Sequence, residues 1–243
     1  MIRRLRSALR RRLSRDERAA RAAYEYDFAR ASAEVVGRGM DIFRYPVFEA
    51  GEHPEGYIDF ECRFAAWHLR NEAPRTVLDV GSYRHFVIGL SAFCEVTALD
   101  VRPRRPGLGT ETVMIGDARS IPAPDGAFDA VVTLSSIEHF GLGRYGDAMD
   151  LGADRAAAAE MRRVLRPGGL LVVTTTLTRG RATLAFNAHR IYDLAAARAL
   201  FPAMEPVDER FYSHGRAAEV ALEEIAHAPG DWDVYCACWR KPG

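Results

Sequence analysis

The chain has 243 residues and a mass of 27.0 kDa, the size of one α/β domain with a short appendage. Hydrophobic residues make up 48% and charged residues 27%, a globular balance that excludes a disordered chain. The net charge is zero but unevenly placed: residues 1–21 hold nine Arg against Asp16 and Glu17, hence +7, and the remaining body is mildly acidic at −7, which argues against a nucleic-acid binder.

In residues 1–23, Ile2, Leu5, Leu9 and Leu13 recur every three or four positions while Arg3, Arg4, Arg6, Arg10, Arg11 and Arg12 take the other faces. This predicts a basic amphipathic helix. Its pattern suits an anionic membrane surface or an acidic partner, and equally a solvated terminal helix. No apolar h-region follows the basic stretch, and no uncharged apolar run nears the roughly 18 residues of a spanning helix, so neither a secretory leader nor an integral membrane protein is expected. Residues 24–73 form an aromatic-rich extension. Phe60, Phe64, Trp67 and Leu69 sit near helical spacing and predict a helix over 58–71, ended before Pro74. Its aromatic residues suit core packing or a lid over a site.

From residue 74 to the C-terminus the expected unit is a doubly wound α/β domain. Strands are predicted at 76–81 (TVLDVG), 95–101 (EVTALDV), 112–116, 128–135 (FDAVVTLS) and 170–176 (LLVVTTT). Helices are predicted at 86–93 and 154–166, the second stopped by Pro167-Gly168-Gly169. Near-continuous apolar strands between helices imply a parallel sheet covered on both faces. Beyond residue 177 the rhythm changes. A helix is expected at 190–200, a strand at 206–212, a helix at 216–226 and a last strand at 231–239 (DWDVYCACW). Cys62, Cys94, Cys236 and Cys238 suggest neither a disulfide framework nor a zinc site, so no metal is expected, and reduced thiols point to a cytoplasmic setting.

In a doubly wound sheet, ligands bind beyond the C-terminal ends of the strands. The residues there are Asp79, Gly81 and Ser82 after the first strand, Asp100 after the second, Asp117 and Ala118 after the third, and Ser135, Glu138 and His139 after the fourth. Asp100 is placed to accept both hydroxyls of a ribose, Asp117 to face an adenine amino group, and Gly81 to let the chain turn against a ligand. Glu138 or His139 can take a proton from an acceptor or make a structural hydrogen bond. Arg144 and Tyr145 lie in a Gly-rich loop that can close over an acceptor. His189 and Arg190 follow the fifth strand, where Arg190 either clamps an anion or pairs with an acid such as Asp147 or Asp193.

VLDVGS (77–82), LD (99–100), GDARSIPAPDGAFDAVVTLSSIEH (116–139) and MRRVLRPGGLLVVTT (161–175) resemble the class I S-adenosylmethionine-dependent methyltransferases over about residues 74–176. SSIEHFGLGRYGD (135–147) and FNAHRIYD (186–193) resemble an uncharacterised methyltransferase-like branch of that superfamily. The resemblance implies a Rossmann-like, mostly parallel seven-stranded sheet with an antiparallel last strand, S-adenosyl-L-methionine as cofactor, and methyl transfer to a small-molecule or glycan acceptor, lipid-linked surface precursors included. The superfamily's G-x-G-x-G is reduced here to Gly81-Ser82-Tyr83, and a tyrosine at the second glycine position crowds the cofactor unless the loop takes another path. A nicotinamide-dependent oxidoreductase would carry G-x-G-x-x-G, which is absent. A non-catalytic protein using the fold for binding or assembly is the rival reading. A cytoplasmic enzyme, peripheral at the inner membrane surface through residues 1–21, is the expectation that combines these features.

Overall fold

The computed structural model describes residues 15–47, 55–104 and 109–243. The leucine stripe expected in the basic N-terminal helix falls largely on residues 1–14, outside the described residues. Contacts divide the chain into two compact units, Met1–Pro54 and Glu55–Gly243.

In the first unit, α1 (Arg15–Gly37) is followed by a segment that returns along it. The Tyr45 amide donates to the Tyr24 hydroxyl at 2.8 Å, and the Arg44 guanidinium lies 4.2 Å over the Phe28 ring.

The second unit opens with α2 (Tyr57–Glu72). Asp59 accepts the Gly56 amide at the helix start, and Ala73, at φ 50°, ends the helix in the left-handed region ahead of Pro74. Its buried face is Glu61, Phe64, Ala65, His68 and Leu69, one stripe at helical spacing. Trp67, predicted among the aromatic positions of this helix, points outward and is 61% exposed.

The strands are β1 (Thr76–Val80), β2 (Glu95–Asp100), β3 (Thr112–Ile115), β4 (Phe128–Leu134), β5 (Leu165–Leu177), β8 (Glu205–Ser213), β9 (Ala218–Val220) and β10 (Asp233–Arg240), with β6 (Thr183–Ala185) and β7 (His189–Ile191) forming a separate hairpin. The main sheet runs β3-β2-β1-β4-β5-β10-β8-β9. β1 to β5 pair in parallel, while β10 inserts antiparallel between β5 and β8. The doubly wound architecture is as expected. Among the described residues the sheet has eight strands rather than seven, because the short β9 adds to the β8 edge.

Alternation along the strands sorts the core into two layers. Val77, Ala130, Val132, Leu170, Val172, Cys236 and Cys238 face α2. Leu78, Val131, Leu171, Val173, Tyr235 and Ala237 face the other way, onto α4 (Ala153–Val164) and α5 (Leu194–Arg198). α3 (Arg84–Leu90) covers β2 through Val87. The four cysteines are free thiols.

Three local expectations are corrected. α4 ends at Val164, and β5 already begins at Leu165, so Pro167-Gly168-Gly169 is a bulge within the strand rather than a helix stop. A Cβ on Gly169 would meet the Asp129 carbonyl oxygen at 2.7 Å, so the close approach of β4 requires glycine. The helix expected over 190–200 shrinks to α5, capped by Asp193 through the Ala196 amide at 2.8 Å, because His189–Ile191 pairs with β6. The helix expected over 216–226 is β9 and a single 3₁₀ turn, Leu222–Glu224. Pairing of Phe211 with Val220 at the sheet edge outweighs the helical preference of Ala-Leu-Glu-Glu.

Candidate functional site

The sheet order reverses between β1 and β4, and a cleft opens there at the C-terminal ends of β1 to β4. Of the residues singled out from the sequence, Gly81, Asp100, Asp117, Ala118, Ser135 and His139 line it, and Tyr145 closes one side. Gly81 has φ +74°, and a Cβ there would stand 2.3 Å from the Ser136 hydroxyl, so only glycine fits where β1 leaves the sheet.

Asp79 and Ser82 hold this turn from beneath instead of lining the cleft. The Ser82 amide donates to Asp79 at 3.2 Å, and the Ser82 hydroxyl accepts the Leu134 amide at 3.0 Å, tying β1 to β4. Burial raises the Asp79 carboxyl to about 7.

Tyr83 does not crowd the cleft. Its hydroxyl donates to Glu61 at 2.7 Å, which turns the ring down against α2. Glu61 is fully buried and also accepts the Ser135 hydroxyl at 2.5 Å. Burial pushes its carboxyl above the usual range, against the lowering effect of those hydrogen bonds. The sequence carries no local sign of this role for Glu61, because its partners lie 22 and 74 positions away.

Both carboxylates of the nucleoside side carry arginine partners. Asp100 accepts Arg102 through Nε at 3.0 Å and Nη2 at 2.8 Å, and Arg104 at 3.1 Å. Burial would raise the Asp100 carboxyl, but the arginines hold it below its ordinary range. Arg119 grips Asp117 with Nε and Nη2 and reaches Asp150 at 2.8 Å, and its hydrogen bonds lower Asp117. The Arg102 guanidinium also lies 4.5 Å over the Tyr145 ring. The signal for these pairs was in the sequence as Asp-x-Arg at 100–102 and 117–119. With the arginines in place the cleft leaves about 70 Å³ free, well short of the roughly 300–1,000 Å³ of a ligand pocket.

On the acceptor side, His139 Nδ1 lies 2.6 Å from the Ala188 carbonyl oxygen. A carbonyl only accepts, so Nδ1 carries the hydrogen and Nε2 keeps its lone pair. Arg144 donates to the same carbonyl at 3.3 Å, which explains its approach to the ring. Burial, with Arg144, His189 and Arg190 nearby, lowers the imidazole to about 4. Glu138 sits behind it: Oε2 accepts the Thr175 hydroxyl at 3.0 Å, and Oε1 is 4.0 Å from His139 Nε2. Burial raises the Glu138 carboxyl to about 8, so at neutral pH it is mostly protonated. His189 packs edge-on between His139 and Trp232, with ring centroids 6.1 and 5.5 Å away.

Arg190 is not an anion clamp. It is nearly buried, pairs through Nε with Asp154 at 3.2 Å, and donates to the carbonyls of Phe140 at 2.6 Å and Leu151 at 3.1 Å. Asp154 is held in turn by the Tyr192 hydroxyl at 2.9 Å. The cation stitches the loop after β4 to the hairpin and is not among the residues that line the cleft. Its partners are these main-chain oxygens and Asp154, not the Asp147 or Asp193 considered from the sequence.

A family model described as "Caenorhabditis protein of unknown function, DUF268" matches residues 117–228. No curated protein matches the chain. Among solved structures, the 1,6-didemethyltoxoflavin-N1-methyltransferase of Burkholderia thailandensis, with 1,6-didemethyltoxoflavin and S-adenosylhomocysteine bound, superposes with a TM-score of 0.57 at 16% identity, covering 96% of this chain and 93% of that one. The N-methyltransferase NodS of Bradyrhizobium japonicum WM9, in complex with S-adenosylhomocysteine, gives 0.53 at 18%, over 80% and 94%. The [4+2]-cyclase SpnF gives 0.55 at 18%, over 92% and 96%. The chain therefore has the Rossmann-like fold of these methyltransferases. That a cyclase shares it means the fold alone does not fix the reaction.

Proposed function

We propose that this protein binds S-adenosyl-L-methionine in the cleft between β1 and β4 and transfers its methyl group to a small-molecule or glycan acceptor. The observation that carries the reading is the set Gly81, Asp100 and Asp117 on one cleft at the reversal of strand order. The residues fit the cofactor in kind: a side-chain-free turn at Gly81, a carboxylate for the ribose hydroxyls at Asp100 and another for the adenine edge at Asp117. Arg102, itself half exposed, occupies the largely buried Asp100 through a local pair and must swing aside when the nucleoside enters.

When bound, the cofactor supplies an electrophilic methyl on a cationic sulfur. The protein's part is alignment and proton removal. His139, neutral and with Nε2 free, takes the proton of a hydroxyl acceptor. Its weak basicity suffices for a hydroxyl acceptor, because an oxygen that gains a methyl before losing its proton is an oxonium and strongly acidic; an amine acceptor gives its proton to solvent instead. Arg190 gives no support to an anionic acceptor, since its donors are spent on carbonyls and Asp154.

Calorimetric titration with S-adenosylhomocysteine tests the reading. Wild type should bind it saturably, and Asp100→Ala should bind about tenfold or more weakly, the effect of losing a hydrogen bond to a charged group. Absence of binding to wild type would overturn the reading in favour of a non-catalytic binding or assembly role, which the arginine-filled carboxylates favour. The +7 charge of residues 1–21 supports a cytoplasmic protein held peripherally on anionic membrane. Full-length protein should co-sediment with phosphatidylserine vesicles at low salt and the chain lacking residues 1–21 should not; equal sedimentation would contradict the attachment.

A further inference from the structure

Glu61 never reaches the cleft, yet it ties together the two loops that border its centre. It is fully buried on α2, takes the Tyr83 hydroxyl from the loop after β1, and takes the Ser135 hydroxyl from the loop after β4. Ser135 is held at φ +45°, an uncommon conformation for serine, and its amide is fixed by Thr174 through both the carbonyl and the hydroxyl oxygen at 3.0 Å. With its one hydrogen committed to Glu61, the Ser135 hydroxyl can offer only lone pairs to the cleft it lines.

The sheet order β3-β2-β1-β4 sets what meets those lone pairs. Asp117, Asp100, Gly81 and Ser135 line one cleft in the order of strands β3, β2, β1 and β4, so a nucleoside held by base and ribose at the first two would bring its 5′ substituent to the last two. We propose that Glu61 is a positioning residue which, through Ser135, fixes a hydrogen-bond acceptor for the ammonium of an amino-acid tail on the nucleoside's 5′ carbon. This rests on the proposed cofactor reading and deepens it. The site then selects a nucleoside carrying an α-amino acid over one without, and Tyr83 takes part as the second donor that keeps the Glu61 carboxyl from turning.

The test is the ratio of affinities for S-adenosylhomocysteine and 5′-methylthioadenosine, which share base, ribose and sulfur and differ in the amino-acid tail. Wild type should prefer the former. Ser135→Ala should lose about tenfold on S-adenosylhomocysteine, about 1.4 kcal/mol, and stay within about twofold on 5′-methylthioadenosine. Glu61→Leu should collapse the ratio in the same way, and Glu61→Gln, which keeps an acceptor for Ser135, should restore most of it. A variant that merely loosens the fold would weaken both ligands together. Equal losses on the two ligands, or an unchanged ratio, would overturn the inference while leaving the cofactor reading intact. Wild type binding neither nucleoside would overturn both. If Glu61→Leu does not fold, Ser135→Ala decides alone.

Discussion

The two sides of the cleft use the same residue types in opposite ways. On the side of β2 and β3, Arg102 and Arg119 pair with aspartates two positions earlier, and all four side chains keep solvent contact except Asp100. On the side of β4 and β5, Arg190 pairs with Asp154 across 36 positions of chain, with both side chains about nine-tenths buried. An arginine that keeps its solvent can leave a local partner at little cost, whereas a buried cation that loses its partners, or leaves them behind, is costly. The first side can yield its carboxylates to a ligand. The second is fixed scaffold.

The largest effect should therefore come from the rigid side. Arg190→Met leaves Asp154 buried without its cation and the Phe140 and Leu151 carbonyls without this donor, and should cost roughly 3–5 kcal/mol in urea unfolding. A midpoint equal to wild type would mean that Arg190 faces a ligand after all. On the exchangeable side, Arg102→Ala removes one competitor for Asp100 while Arg104 stays, and should tighten S-adenosylhomocysteine binding by about twofold to fivefold, since the lost arginine is half exposed. Weaker binding in this variant would make Arg102 part of the ligand site.

The buried carboxylate behind His139 gives the two sides different pH behaviour. Folding raises Glu138 from 4.5 to about 8, so the native state holds a proton that the unfolded chain has released. Stability from this group is fully present below about pH 4.5 and is lost as pH rises to about 8. His139 acts in the opposite sense: lowered from 6.5 to about 4, it costs stability as pH falls through that interval. Glu138→Gln removes the first dependence. Its stability relative to wild type should grow between about pH 4.5 and 8 and level off above, as read from urea midpoints at pH 5, 7 and 9. A constant difference across that range would contradict the raised carboxyl. Asp100 and Asp117, held low by arginines, should contribute nothing to this window.

What could be read from the sequence follows the same division. β1, β4 and the 170–176 part of β5 are legible because strands buried on both faces are nearly unbroken apolar runs, and the cleft residues are legible because they sit where the strands stop. Asp100 and its Arg102 partner are only two positions apart in sequence. The scaffold side was not legible. Arg190 looks like a surface cation until Phe140, Leu151 and Asp154 close around it, and Glu61 looks like an ordinary helix-surface acid until Tyr83 and Ser135 meet it. β9 and most of β7 fall in stretches whose periodicity predicts helix, because their pairing partners, Thr183–Ala185 and Phe211 onward, leave no trace in local periodicity. Tyr83 was the informative exception: its anomaly was visible, and only the Glu61 contact explains how the loop tolerates it.

The central claim is that a cofactor nucleoside displaces an arginine from Asp100. A crystal structure of the protein grown with S-adenosylhomocysteine tests it directly. The ribose hydroxyls should lie within hydrogen-bond distance of both Asp100 oxygens, with Arg102 turned out from under Tyr145 and Arg190 unmoved on Phe140 and Leu151. A nucleoside bound elsewhere while Arg102 stays bidentate on Asp100 would contradict the account.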